Sequence, residues 1–121
     1  MVFLIFFSYF PIFLFYCAAF INKNSFNADL SNWDTGKTIS MASTFDNCHS
    51  FGEKIPPTTG KYVDLSKWNV GNVRTLEVTF QAAKAFRSDV SKWDVSNVNN
   101  LKNTFNKATN WNSDLSQWNG K

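Results

Sequence analysis

The stretch FRSDVSKWDVSNVNNLKNTF, residues 86–105, decides how this chain is to be read, because its parts recur in phase elsewhere. Working outward from Trp93, equivalent tryptophans stand at Trp33, Trp68 and Trp118, separated by 35, 25 and 25 residues. Phe105 has counterparts at Phe45 and Phe80. Asp89 has them at Asp29, Asp64 and Asp114, and Ser91 has them at Ser31, Ser66 and Ser116. The unit is therefore 25 residues long, and one copy carries ten more. Phe26 to Asp29, Phe86 to Asp89 and Trp111 to Asp114 are each three steps, whereas Phe51 to Asp64 is 13. The insert is thus GEKIPPTTGK, residues 52–61, and Pro56-Pro57 with Gly60 predicts a loop there.

A period of this length implies stacking, since one such unit cannot bury its own apolar face. Within the unit, Val73, Leu76, Phe80 and Ala83 are spaced 3, 4 and 3, and Val98, Leu101, Phe105 and Ala108 repeat that spacing. Thr38, Met41, Phe45 and Cys48 form a degenerate first copy. Such spacing predicts one face of an α-helix. Leu65, Trp68 and Val70, like Val90, Trp93 and Val95, follow an LxxLxL rhythm whose Trp-x-Val part predicts a short strand. The expected fold is an α/β, leucine-rich-repeat-like solenoid of about four strand–helix units over residues 22–121, with the tryptophans in one buried column. Cys48 shares its position with Ala83 and Ala108, which predicts a small core residue there.

The form F-x-x-D-[LV]-S-x-W-[DN]-V-x-N-V-x-x-L-x-x-T-F resembles the repeats of BspA-like leucine-rich-repeat surface proteins, and it covers residues 26–121. That resemblance implies a cell-surface location and a role in adhesion or protein interaction, and it names no ligand. The first copy departs from the pattern at Thr35, Thr38 and Ile39, and the insert departs from it again.

The repeat is preceded by MVFLIFFSYFPIFLFYCAAFI, residues 1–21, which holds seven of the 13 Phe and no charged side chain. An apolar run of this length at the N terminus predicts a secretory signal, with Cys17-Ala18-Ala19 offering small residues before a cut after Ala19. An uncleaved signal anchor and a mis-assigned start remain as other readings, because no Lys or Arg precedes the run. Pro11 is compatible with each. Phe15 and Tyr16, before Cys17, are bulkier than a lipid-attachment site wants. Membrane contact is expected only through residues 1–21, if they are retained.

The net charge of +3 comes from scattered basic residues, so no nucleic-acid footprint is expected. There is no CxxC, HExxH or glycine-rich phosphate loop, and the only His, His49, adjoins a core-facing Cys48. The chain is accordingly expected to be no enzyme, to use no cofactor and to bind no metal. The Asp29, Asp64, Asp89 and Asp114 column suits acceptors for turn N–H groups better than cation ligands. The candidate interaction surface comprises Asn32, Lys67, Lys92 and Gln117, beside an inward Trp, together with Glu53, Lys54 and Lys61 of the insert.

The expected role is secreted or surface-displayed binding of a protein or cell-surface ligand. The alternatives are a structural fragment of a longer array and an intracellular interaction module. Leu115 to Trp118 is expected to be an edge strand at which the chain self-associates.

Overall fold

The computed structural model describes residues 18–55, 60–119 and 121. Most of the apolar segment, residues 1–17, and with it Pro11 and the Cys17 question, lies outside the described residues. So do Pro56-Pro57 of the insert.

The unit is built from β-turns. No helix occurs among the described residues, and extended pairing is confined to isolated bridges: Ser40 with Thr75 and Thr75 with Asn100, both parallel, and Lys54 with Tyr62, antiparallel. The strand–helix unit is therefore wrong, and the backbone shows why. Trp68 N–H donates to Leu65 C=O, Val73 to Val70, Thr79 to Leu76, Ala83 to Phe80 and Phe86 to Ala83. Each bond closes a turn of four residues, with an apolar side chain at one or both ends. The spacing of three that suggests a helix face is thus the spacing of consecutive turns. The Trp-x-Val stretch, expected as a strand, follows a turn, and Leu115–Trp118, expected as an edge strand, is itself a turn closed at 2.8 Å.

The decisive departure from a helix is at φ. Ser43 and Asn47, Val78 and Ala82, and Asn103 and Lys107 all have φ between 48° and 60°. A left-handed residue at the third position is the mark of a type II-like turn, and it ends any α-helix. It also turns alternate N–H groups out of the unit. Met41, Ser43, Phe45 and Asn47 donate to the carbonyls of Thr75, Glu77, Thr79 and Gln81 at 2.9–3.1 Å. Leu76, Val78, Phe80 and Ala82 donate to those of Asn100, Lys102, Thr104 and Asn106 at 2.7–2.9 Å. The layers are therefore hydrogen-bonded in parallel, one repeat apart.

The interior is a set of aromatic columns. Phe20, Phe45, Phe80 and Phe105 stack at 5.5, 5.5 and 5.6 Å between centroids, and Trp33, Trp68 and Trp93 stack at 6.4 Å per step. Within a layer, Phe45 packs on Phe51 and Phe80 on Phe86, both at 4.0 Å. The indoles also tie layers together: Trp68, Trp93 and Trp118 Nε1–H donate to the carbonyls of Leu30, Leu65 and Val90 at 2.8, 3.0 and 3.2 Å. The hydroxyls of Thr79 and Thr104 do the same to Met41 and Leu76 carbonyls, both at 2.9 Å. Cys48 is fully buried, donates its thiol to the Phe20 carbonyl at 2.8 Å, and is pushed up to about 11 by burial, so it stays an unreactive thiol.

The array begins before residue 22. Ala18, Phe20 and Asn22 donate to Ala42, Thr44 and Asp46 carbonyls, and Phe20 stacks on Phe26 at 4.0 Å. Residues 18–22 are thus the turn half of a layer preceding the first complete copy. A cut after Ala19 would leave Phe20, a core ring, as the new N terminus.

Val78 carries a β-branched side chain at φ 48°, where such residues are strained. Its counterpart in the next layer is Asn103, at φ 56°. Val78→Asn should therefore stabilise the fold by about 1 kcal/mol, the cost of one left-handed residue, read as a raised melting temperature. An unchanged or lower value would show that the Val78 side chain contributes more than its backbone costs.

Candidate interaction surface

Turns of this density demand local acceptors, and the Asp, Asn and Ser of each unit supply them. Asp29, Asp64, Asp89 and Asp114 accept the N–H of Ser31, Ser66, Ser91 and Ser116 at 2.8–3.0 Å. Asp34, Asn69 and Asp94 do the same for Gly36, Gly71 and Ser96 at 3.0–3.1 Å. The Asp column is therefore a column of Asx turns.

These bonds hold the Asp29, Asp64, Asp89 and Asp94 carboxylates below their ordinary value. The Ser31 hydroxyl acts first on Asp29, the Ser66 N–H on Asp64, the Ser91 N–H on Asp89 and the Ser96 hydroxyl on Asp94. Because the folded values lie below the unfolded value, this stabilisation is present above about pH 4. It is lost as pH falls further, through the folded values. Chemical denaturation between neutral pH and pH 3 should show that loss. Asp64→Asn, which keeps the turn as Asn69 does, should flatten its share. An identical pH profile for the variant would rule out the Asx bond as its origin.

The residue that follows each Asx turn lies on the surface, while the one inside it (Leu30, Leu65, Val90) is buried. Asn32, Lys67, Lys92 and Gln117 are all exposed, next to the Trp column as expected. Glu53, Lys54 and Lys61 are exposed too. The insert, however, is a hairpin with its own order: Lys54 bridges Tyr62, and Ile55 N–H donates to Lys61 C=O at 3.0 Å. Gly52, assigned to the loop by the sequence, is buried, and its N–H donates to Asn27 Oδ1 at 3.2 Å. Asn27 Nδ2 in turn reaches the carbonyls of Glu53 and Lys54 at 3.3 and 3.4 Å, which anchors the hairpin base.

The hairpin makes a concave surface against the first two layers. Asp29, Ser31, Asn32, Asp64 and Lys67 line the array side, and Ile55, Lys61 and Tyr62 line the hairpin side. The structure so brings together Asn32, Lys61 and Lys67. Glu53 and Lys54 stand at the hairpin base, while Lys92 and Gln117 continue the column away from the cleft. Tyr62, the exposed large hydrophobic at 42%, was missed from the sequence, as were Ile55 and Arg87. The Arg87 guanidinium lies 4.3 Å from the Tyr62 ring centroid, and Lys54 Nζ lies 5.7 Å from it. Both cations lie within cation–π reach of the ring. Only the break in the repeat period pointed to this place, and it could not say which insert residue would face out. Among the described residues no cluster of three or more His, Cys, Asp or Glu could hold a metal ion, and no helix is long and apolar enough to cross a membrane.

Comparison with protein families matches residues 16–57 and 57–121 to DUF285, described as a Mycoplasma protein of unknown function. The chain belongs to this family. No curated protein and no solved structure matches it. The match begins at residue 16, in line with a repeat layer that starts inside the apolar segment.

Proposed function

We propose that this chain is a non-enzymatic binding protein, displayed at or outside the cell surface, which engages a protein or other cell-surface ligand through the cleft between the hairpin and the first two layers. The reading rests chiefly on one observation. The single interruption of an otherwise uniform array folds back to form a concave surface that carries an exposed Tyr beside Lys61, Lys67 and Asn32. Exposed aromatic and long cationic side chains at a rim suit adhesion to another surface. The apolar N-terminal run and the resemblance to BspA-like surface proteins support an external location. The uniform layers supply rigidity, so the hairpin is presented at low entropic cost.

The test is binding of the 121-residue chain to arrayed extracellular-matrix proteins and glycans. Tyr62→Ala with Lys67→Ala should weaken any specific interaction by tenfold or more, the loss of about 1.4 kcal/mol or above. The same change should leave the melting temperature within about a degree or two, since both sites are surface positions. Lys92→Ala, outside the cleft, should leave binding unchanged. Equal loss from Lys92→Ala would move the site to the polar column as a whole. Full binding by the cleft variant would remove the hairpin from the site.

A further inference from the structure

The cleft beside the hairpin is balanced in charge. Its walls hold two carboxylates, Asp29 and Asp64, and two ammonium groups, Lys61 and Lys67. Both carboxylates are ionised at neutral pH. Asp29 is held down first by the Ser31 hydroxyl and also by Lys61, and Asp64 first by the Ser66 N–H and also by Lys67. The formal charge of these four groups is therefore zero, and residues 56–59, Pro-Pro-Thr-Thr, add none. An acidic ligand that gains a Lys here also meets an Asp, and a basic ligand meets the converse, so neither sign is favoured. A neutral ligand rich in hydroxyls escapes that penalty. A hydroxyl donates to a carboxylate and accepts from an ammonium group, so one polyol engages both kinds of side chain. The Asx bonds to Asp29 and Asp64 use one oxygen of each carboxylate, and a carboxylate has about four acceptor sites.

Tyr62 supplies the apolar part of the same cleft. It is 42% exposed, and the Arg87 guanidinium over its ring belongs to a residue outside the cleft wall, so the cation does not fill the cleft. The cleft volume is about 240 Å³. That is below the ~300–1,000 Å³ of sites for drug-sized ligands, and it suits one ring better than a chain. A pyranose carries C–H groups on one face and hydroxyls around its edge, which matches an exposed aromatic flanked by carboxylates and ammonium groups. We propose that this cleft holds one uncharged sugar residue of a cell-surface glycan, its C–H face on Tyr62 and its hydroxyls on Asp64, Lys67 and Asn32. The proposal rests on the reading of the cleft as the binding site and names its ligand class. A peptide also brings donors and acceptors, but its backbone offers no flat apolar face edged with hydroxyls, and it is the rival in the test.

The test is saturation-transfer NMR of the 121-residue chain with the methyl glycosides of glucose, galactose, mannose, N-acetylglucosamine and N-acetylgalactosamine. Glucuronic acid and the neutral dipeptide N-acetylglycylglycine amide serve as comparisons. At least one neutral sugar should bind, with saturation strongest on its ring C–H protons, and glucuronic acid should bind more weakly. Tyr62→Ala should weaken the sugar by about three- to tenfold, the worth of one aromatic contact, and Tyr62→Phe should restore it. Asp64→Asn, which keeps the Asx turn, leaves one positive charge in excess, so glucuronic acid should then bind at least as well as the neutral sugar. Binding of no neutral sugar, or of glucuronic acid or the dipeptide in preference to all of them, would overturn the proposal. If no sugar binds while an arrayed protein still depends on Tyr62, the ligand class falls and the cleft stands. If a sugar binds Tyr62→Ala and Asp64→Asn as well as the unsubstituted chain, the cleft itself falls.

Discussion

Replacing Trp93 with Ala should lower the unfolding free energy by about 3–5 kcal/mol, the usual range for truncating a buried aromatic. Three contacts end together. The ring is 4% exposed, lies 6.4 Å from Trp68 in near-parallel stacking and tilts against Phe80 at 6.2 Å. Its indole N–H is a second donor to the Leu65 carbonyl, which then keeps only the Trp68 N–H. Trp93→Phe separates these effects. It keeps most of the apolar area and removes one hydrogen bond while the Leu65 carbonyl keeps the Trp68 N–H, so it should cost about 0.5–1.5 kcal/mol, the net worth of one such bond. The measurement is denaturant unfolding of the 121-residue chain, because Phe20 belongs to the core and a shorter chain would confound the reference. A loss below about 1 kcal/mol for the Ala variant would refute the stacked column, given that cavity costs at such sites run well above this.

Gly52→Ala should be comparably severe, although it adds a single methyl group. A Cβ at this position would lie 2.6 Å from the Ala85 carbonyl oxygen and 2.6 Å from Phe86 Cα, and both are backbone atoms of the next layer. The residue also sits at φ +110°, a conformation that L side chains rarely adopt. Backbone strain of about 1–3 kcal/mol and an overpacking cost of similar size combine here. Gly60→Ala is the matched control. Its φ is +60° and nothing lies within 4 Å of the added atom, so only the local backbone cost remains. Thermal unfolding of both variants should therefore differ by many degrees. If they lose stability equally, the close approach of the first and second layers at Gly52 is not as described.

Gly52 also shows where reading the sequence alone reaches its limit. The break in the period located the ten-residue insert, and Pro and Gly marked it as a turn region. Nothing local could show that its first residue lies against the following repeat. Tyr62 is similar: the sequence does not say which way it faces, and in the hairpin it pairs with Lys54 and is exposed.

The sequence by itself determined the period, the phase and the inside of this protein. Trp68, Trp93, Phe45, Phe80, Cys48 and Ala83 are buried because apolar residues recurring in phase can be covered only by their neighbours in the stack. It also determined the role of the Asp column, since an Asx turn needs only a carboxylate two residues before an N–H. What the tertiary structure alone decided is the backbone between those positions. A spacing of three serves a helix face and a succession of β-turns equally well. The choice between them depends on where alternate N–H groups find acceptors. Here those of Ser43 and Val78 find them in another layer, at Glu77 and Lys102, 34 and 24 residues along the chain. A helix satisfies its donors four residues back and has no need of a second layer. In residues 41–48 and 76–83 half of the donors are satisfied across layers, so the left-handed turns there, even at Val78 and Ala82, follow from stacking and not from local preference.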